Sequence, residues 1–177
     1  LGSIDLAILN AGTHRPTPAT DFRADDVKDL IDLNLMAAVY AIEALLPGML
    51  ARNSGHIAAV ASVAGYRGLP TAAGYGASKA ALIHLCEALA LDLSDTDLQI
   101  QVINPGFVKT PLTDRNRFPM PFLVSAEVAA DAIIKGLGGN GFEIKFPWLF
   151  TNILKTLRLL PYRIYFPWVN RFTRTEN

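Results

Sequence analysis

Residues 56–104 decide the fold, and they read HIAAVASVAGYRGLPTAAGYGASKAALIHLCEALALDLSDTDLQIQVIN. The apolar run His56–Ser62 predicts a buried strand, and the alanine-rich segment Tyr75–Leu93 predicts a long helix. A turn follows, and Leu98–Asn104 predicts another strand. A strand, a helix and a second strand in this order indicate a βαβ unit, whose two strands lie parallel in one sheet.

The flanking sequence continues this alternation. Ile4–Asn10 predicts a strand, and Asp25–Arg52 predicts a long helix that ends before Gly55. Further along, Ser125 can cap a helix that runs to about Leu137, and Phe142–Phe146 predicts a short strand. We therefore predict an α/β fold with a mostly parallel sheet and right-handed connections.

Composition excludes several classes of function. The chain has 177 residues, of which 51% are hydrophobic and 18% charged, so it is long and apolar enough for a sizeable core. A net charge of zero gives no electrostatic support for nucleic-acid binding. The single cysteine, Cys86, excludes an internal disulfide and is predicted to pack in an apolar helix. We predict a cytoplasmic protein, with no signal peptide and no apolar run of membrane-spanning length.

No metal site is predicted, because His14, His56 and His84 are scattered and show no ligand spacing. Each of these histidines is expected to be structural or solvated.

Tyr75 and Lys79 carry the strongest chemical signal. Four residues apart on a helix, they lie on one face, and a lysine cation near a phenol lowers the tyrosine pKa from its usual value of about 10. Ser62, at the end of the preceding strand, can add a hydroxyl at the same place. The three residues suit proton delivery to a carbonyl. The tyrosine and lysine alone would be an ordinary pair on a helix surface.

Three further features lie near strand ends or among apolar residues. Asn10-Ala11-Gly12 closes the first strand, where small residues let a ligand approach the backbone at the carboxyl end of the sheet. Asn34 lies in the middle of a helix among apolar neighbours, and a buried amide there needs partners. Asn104-Pro105-Gly106 ends the third strand, and Thr110 follows. Singly, each is also typical of a turn or of a local hydrogen bond.

Taken together and in order, these motifs resemble the short-chain dehydrogenase/reductase family over roughly residues 1 to 137. The resemblance implies a Rossmann-like doubly wound parallel sheet, represented here by its C-terminal part, with residues 1–148 belonging to a single catalytic domain. It implies an enzyme that uses NAD or NADP to interconvert a carbonyl and an alcohol by hydride transfer.

The resemblance also implies a role for each residue. Tyr75 would be the acid/base, and Lys79 would hold the nicotinamide ribose and depress the pKa of Tyr75. Ser62 would hydrogen-bond the substrate oxygen, and Asn34 would position a water that links Lys79 to a proton relay. The cofactor would further be bound on its adenosine side by Asn10, Ala11 and Gly12, and at its nicotinamide end by Pro105, Gly106, Val108 and Thr110.

One departure from the family is large. The family's Gly-rich nucleotide-binding turn, T-G-x-x-x-G-x-G, does not occur. Gly136–Gly141 is rich in glycine but follows a helix and precedes a strand, the wrong order for a phosphate cradle, so it is interpreted as a flexible turn. We therefore expect a fragment. As a whole molecule, residues 1–177 would leave the first strand with an unpaired edge, and we would expect poor solubility and no turnover.

Two segments suggest partners. Phe107–Val124 falls at the family's substrate lid, and its Phe118, Met120, Phe122 and Leu123 predict an apolar carbonyl or alcohol substrate, unless they only cover the core. Residues 149–177 form a C-terminal extension that is helical in period, aromatic and basic. Such a segment either lies peripherally on a membrane or packs over the substrate pocket or a subunit partner.

The last two predictions concern the oligomeric state and the alternative to an active enzyme. The resemblance implies a homodimer or homotetramer through the helices Asp25–Arg52 and Tyr75–Leu93. The alternative to an enzyme is a non-catalytic relative that binds a nucleotide or ligand, or an inactive fragment of the enzyme.

Overall fold

Four parallel strands form one sheet in the computed structural model, which describes residues 2–113 and 120–173. The strands are β1 (Leu6–Leu9), β2 (Gly55–Val60), β3 (Leu98–Pro105) and β4 (Glu143–Phe146), and they lie side by side in chain order. Every neighbouring pair is parallel. The predicted α/β class and all four predicted strands are confirmed. Within the described ranges, β1 pairs on one side only, with β2.

Helices cover the sheet. They are α1 (Ala24–Ile31), α2 (Ala37–Ala51), α3 (Ala73–Asp92), α4 (Ala126–Leu137), α5 (Trp148–Leu157) and α6 (Tyr162–Thr173). A π-helical segment, Asp32–Met36, joins α1 to α2, so the long helix predicted over Asp25–Arg52 is continuous but has a wider turn at its centre. Such π turns often mark functional sites, and this one contains Asn34.

Both faces of β2 and β3 are buried, as expected for the central strands of a doubly wound sheet, whereas Leu6 and Ile8 of β1 are exposed. Successive strand residues point to opposite faces, so Ile57 and Ala59 join one core cluster and Ala58 joins the other. The first cluster includes residues of α2 and α3, among them Cys86, which is buried as predicted. The second cluster is smaller and packs beneath α4 through Ala129.

The predicted C-terminal extension consists of two helices, and its last residues, 174–177, lie outside the described ranges. Phe150 of α5 belongs to the larger core cluster, and Thr151 is fully buried. The predicted boundary at residue 149 falls one residue after the start of α5, and the division into two parts stays a prediction. The second helix, α6, buries Tyr165 and Val169 and was not predicted as a separate element.

The continuous helical stretch over residues 24–51 is, by length and composition alone, able to cross a membrane. The prediction that the chain has no apolar run of membrane-spanning length was therefore wrong. In the structure this stretch buries Leu30, Ile42 and Met49 in the fold, and α2 packs on β2 while α1 packs on α3. A core helix of a globular domain can have the same length and apolar composition, so these two properties are only weak support for a membrane span.

Candidate active site

Tyr75, Lys79 and Ser62 come together at the carboxyl end of β2. Tyr75 lies in the first turn of α3, and the Lys79 Nζ is 5.9 Å from the centroid of the Tyr75 ring. The Ser62 side chain lies close enough to the Tyr75 hydroxyl to oppose the effect of burial on the Tyr75 pKa. A hydroxyl, a phenol and an ammonium group are therefore neighbours, as the sequence analysis expected.

Ser62 owes its position to a short 3₁₀ turn, Val63–Gly65, that it caps. Its Oγ accepts a hydrogen bond from the Ala64 N–H at 3.1 Å. Gly65 lets this turn lie directly on α3, because a Cβ there would come within 2.8 Å of the Lys79 carbonyl carbon and 2.9 Å of the Ala80 nitrogen. The close contact holds Ser62 against the first turns of α3.

Lys79 is a buried cation with unused hydrogen-bonding capacity. Its side chain is only 4% exposed, and Nζ donates to the Val60 carbonyl at 2.7 Å. Burial lowers the pKa of Lys79 to about 8. An ammonium group has three donor hydrogens, so donors beyond the one used for Val60 can bind hydroxyl oxygens. The chemistry of this donor fits the ribose of a dinucleotide.

The pKa of Tyr75 moves in the direction opposite to the one expected from the sequence. Burial raises it, and the hydrogen bond with Ser62 offsets part of that rise. The expectation that Lys79 lowers the pKa of Tyr75 was therefore wrong for this structure, because the cost of removing a phenolate from water dominates. Tyr75 is a neutral phenol at neutral pH and can donate a proton.

Asn34 holds backbone beside the site. The π turn directs its fully buried amide toward Thr13, whose N–H donates to Asn34 Oδ1 at 2.7 Å and whose carbonyl accepts from Nδ2 at 3.0 Å. Nδ2 also donates to Ser78 Oγ at 3.0 Å. The amide therefore fixes the segment after β1 against α3. The predicted water-positioning role of Asn34 stays a prediction.

Asn10, Ala11 and Gly12 lie between β1 and these helices. A Cβ on Gly12 would stand 3.3 Å from both Asn34 Oδ1 and Lys79 Nζ, so only glycine leaves that space open. Asn10 and Ala11 line a cavity of about 230 Å³ together with Asn34. The predicted adenosine-side residues thus border on the same buried region as Lys79.

The segment after β3 lies at the opposite side of β2 from β1. β3 ends at Pro105, and the Gly106 N–H donates to the Phe146 carbonyl at 2.7 Å. A Cβ on Gly106 would lie 2.8 Å from the Phe150 ring, so this glycine lets α5 approach. Val108 bridges to Val124, and the Thr110 N–H donates to Thr113 Oγ1 at 2.9 Å. Their predicted contacts with a nicotinamide stay predictions.

His14, which the sequence analysis expected to be structural or solvated, contacts Tyr75, and this contact was not predicted. The two rings meet edge to face, with centroids 4.8 Å apart and an interplanar angle of 89°. Burial lowers the pKa of His14, which favours the neutral imidazole. Its position two residues after Gly12 was the available hint, but the contact depends on how the loop folds onto α3.

The family model described as short chain dehydrogenase matches residues 1–119. This chain belongs to the short-chain dehydrogenase family. An uncharacterized oxidoreductase of Myxococcus xanthus is 39% identical over 160 residues, which cover 90% of this chain and 63% of that protein. The chain therefore spans less than two thirds of the length of this relative.

Solved structures of the family share the fold. A short chain dehydrogenase from Burkholderia cenocepacia in complex with NADP superposes with a TM-score of 0.80 at 25% identity, covering 96% of this chain and 70% of that one. A gluconate 5-dehydrogenase from the same organism, in complex with NADP and tartrate, is 32% identical with a TM-score of 0.61, covering 64% of this chain and 44% of that one.

Proposed function

We propose that the full-length protein is an NAD(P)-dependent oxidoreductase that interconverts a carbonyl and an alcohol, with Tyr75 as the acid/base. The observation that carries the proposal is the meeting of the Tyr75 phenol with the Ser62 hydroxyl and the buried Lys79 ammonium. Two relatives in the family were solved with NADP, which supports NAD or NADP as the cofactor.

In carbonyl reduction, Ser62 and Tyr75 bind the substrate oxygen, and Tyr75 donates a proton to it. Tyr75 suits this step because burial raises its pKa and keeps it protonated. The dinucleotide, when bound, supplies the hydride to the carbonyl carbon or accepts it from the alcohol. Lys79 would hold the nicotinamide ribose with the donors that Val60 leaves unused.

The remaining residues orient the site and the cofactor. Asn34 holds Thr13, which places His14 against the ring of Tyr75 and restricts the orientation of the phenol. Asn10, Ala11 and Gly12 would hold the adenosine side of the cofactor, and Pro105, Gly106, Val108 and Thr110 would hold its nicotinamide end.

We further propose that the substrate is apolar. Phe150 has its ring centroid 5.5 Å from that of Phe107 and 5.7 Å from that of Phe122. Phe122 is 48% exposed and has a positive φ of 59°, a conformation that costs a bulky residue about 1–3 kcal/mol. Such strain is common at ligand-binding segments, and it supports a role for this aromatic surface in binding. Phe118, also predicted here, lies outside the described residues.

The test is Tyr75→Phe in the full-length protein. Rates of NADH and NADPH oxidation are measured with a panel that includes benzaldehyde, acetophenone and decanal, and cofactor binding is followed by fluorescence. We expect kcat to fall by about 10²–10⁴ while cofactor affinity stays within about twofold. The matched control is Tyr40→Phe, because Tyr40 lies exposed on α2 and its change should leave the rates unaltered.

Two outcomes would contradict the proposal. Unchanged kcat in Tyr75→Phe would end the acid/base assignment. A wild-type protein that binds NADP but turns over no carbonyl or alcohol would favour the non-catalytic binding relative.

We also propose a homodimer or homotetramer through the long helices. The small residues Ala77, Ala80 and Ala88 of α3 are exposed, as a helix–helix contact between subunits would need. Light scattering of the full-length protein should give a dimer or larger, and Ala80→Glu should shift it toward the monomer. A monomeric wild type at micromolar concentration would refute this.

A second candidate function is peripheral contact with an anionic membrane, favoured by the surface of α5 and α6. The exposed large apolar residues of this surface are Trp148, Leu149, Ile153, Leu159, Tyr162, Ile164, Phe166, Trp168 and Phe172. Basic residues lie among them, including Arg158, Arg163 and Arg171. Aromatic and leucine side chains together with arginines are typical of interfacial helices.

Flotation with vesicles tests this contact. The full-length protein should float with vesicles containing 30% phosphatidylserine and less with pure phosphatidylcholine, and Leu159→Glu combined with Phe172→Glu should abolish flotation. Substitution is preferable to deletion of residues 149–177, because Phe150 belongs to the core. Equal recovery of wild type and variant in the soluble fraction would count against membrane contact.

A further inference from the structure

The loop of residues 66–72 joins the 3₁₀ turn that Ser62 caps to the start of α3. The end of the loop that lies nearer to Tyr75 is held by the segment that follows β1. The Thr17 N–H donates to the Thr71 carbonyl at 2.7 Å, and Thr17 Oγ1 accepts from the Gly74 N–H at 2.9 Å. Thr17 is almost fully buried. One end of the loop therefore has a polar anchor beside the first turn of α3.

Arg67 anchors the other end of the loop to the C-terminal helices. Its Nη1 donates to the carbonyls of Leu157, Arg158 and Leu160 at 2.7, 3.1 and 2.7 Å. These carbonyls lie at and just beyond the end of α5, where helix carbonyls lack partners within the helix and the helix dipole favours a cation. One guanidinium group thus caps the C-terminus of α5.

The same guanidinium group also contacts α6. Its Cζ lies 3.9 Å from the centroid of the Tyr165 ring and 4.8 Å from that of Tyr162, both within the range of cation–π contacts. In return, Tyr165 Oη donates to the Gly68 carbonyl at 2.7 Å. Tyr165 is 2% exposed, so its side chain is buried between the loop and α6. The loop and α6 are therefore joined by two kinds of contact: Arg67 of the loop lies on the rings of α6, and Tyr165 of α6 donates to the loop backbone.

Tyr66, the neighbour of Arg67, makes a second connection to α5. Its Oη donates to Glu143 Oε1 at 2.6 Å, and Lys155 of α5 forms an ion pair with the same carboxylate. The Asn104 amide also donates to Glu143, at 2.8 Å. Two neighbouring residues of the loop are thus tied to the C-terminal helices.

We propose that Arg67 is a positioning residue through which α5 and α6 set the conformation of the loop between Ser62 and Tyr75, and thereby the affinity for the carbonyl substrate. This inference rests on the proposed function. The proton transfer would remain with Tyr75, and the cofactor would be held elsewhere, by Lys79. Loss of the Arg67 contacts should therefore affect substrate binding more than cofactor binding.

The geometry requires arginine. A planar guanidinium group can lie over two rings and donate to carbonyls at its edge, whereas a lysine ammonium is a compact charge on a flexible chain. Arg67→Lys keeps the charge and should restore part of the effect, and Arg67→Met removes both kinds of contact. Arg23→Met is the matched control, because Arg23 is an exposed arginine just before α1, far along the chain from the loop.

The first experiment measures kcat and KM of the full-length variants with NADPH or NADH and the panel carbonyl that the wild type reduces fastest. We expect Arg67→Met to raise KM for the carbonyl at least tenfold, with kcat within about threefold and cofactor affinity within twofold. Arg67→Lys should fall between Arg67→Met and wild type, and Arg23→Met should match wild type. A KM unchanged in Arg67→Met overturns the proposal, as does an equal fall in cofactor affinity.

The second experiment is independent of activity. Hydrogen exchange, followed by mass spectrometry, should be at least tenfold faster in both residues 66–72 and residues 158–173 of Arg67→Met than in wild type. Faster exchange in the helices alone would overturn the coupling. This measurement still decides the matter if the proposed activity fails. If Arg67→Met does not fold, Tyr165→Phe replaces it, and it should speed exchange of the loop while keeping the ring beneath Arg67.

Discussion

Replacing Lys79 by Met offers the sharpest test of how the site is built. Lys79 is buried, and its ammonium donates to the Val60 carbonyl in the described structure. Burial lowers its pKa from 10.5 to about 8. At 1.36 kcal/mol for each pKa unit, this difference corresponds to roughly 3 kcal/mol of free energy. A methionine has nearly the same length and does not titrate.

The sign of the pH dependence follows from where the proton is bound. Between pH 8 and 10.5, the unfolded chain keeps the Lys79 proton while the folded chain has released it, so the free energy of unfolding rises with pH. Lys79 therefore destabilises the fold below pH 8, and this cost disappears by about pH 10.5. Other groups titrate in wild type and variant alike, and their effects cancel in the difference.

The assay is urea unfolding of the full-length protein without cofactor, followed by circular dichroism from pH 7 to 10.5. The stability of Lys79→Met minus that of wild type should decrease by about 3 kcal/mol across the upper part of this range. A difference that stays constant from pH 7 to 10.5 would show that Lys79 is not a desolvated ammonium, and the account of its donors to a ribose would fail with it.

Three further changes probe the packing of the site. Asn34→Ala should lower the free energy of unfolding by about 2–4 kcal/mol, because the partly buried backbone of Thr13 and the buried Ser78 hydroxyl lose their partner. Replacement of the exposed Asn170 by Ala should change it by less than about 0.5 kcal/mol in the same urea titration. Gly65→Ala should lower the free energy of unfolding by about 1–3 kcal/mol, because its methyl group would clash with α3. Gly68→Ala is the control, because a Cβ there has open space and should leave stability unchanged. Equal melting temperatures of the two variants would contradict this. Burial raises the pKa of Cys86 to about 12, so the folded protein at pH 8 should resist a thiol reagent that reacts at once in urea.

The strands and the long helices were predictable because their signals are local. Short apolar runs bounded by turn residues specify strands, and the alternation with helices specifies a parallel sheet. Ser62, Tyr75 and Lys79 were also predictable as a group, since a strand end and the following helix start meet at one edge of such a sheet. Predicting that these residues lie together requires no knowledge of contacts between distant parts of the chain.

The remainder depends on contacts between distant parts of the chain. The π turn at Asn34 forms around the Thr13 backbone, and the edge contact of His14 with Tyr75 requires the loop after β1 to fold onto α3. The partners of Arg67 lie 90 or more residues further along the chain. The direction of the Tyr75 pKa was wrong from sequence because the depth of burial is a tertiary property.

Glu143 has a consequence for recombining members of this family. Its carboxylate is shared by Tyr66 of the loop, Asn104 of β3 and Lys155 of α5, so three elements meet at one acceptor. A chimera that receives its C-terminal helices from a relative must also inherit compatible residues at positions 66, 67 and 143. Without them the partly buried Glu143 carboxylate or the Tyr66 hydroxyl loses its partner. The natural crossover point for exchanging substrate preference therefore lies before residue 66, not at the start of α5.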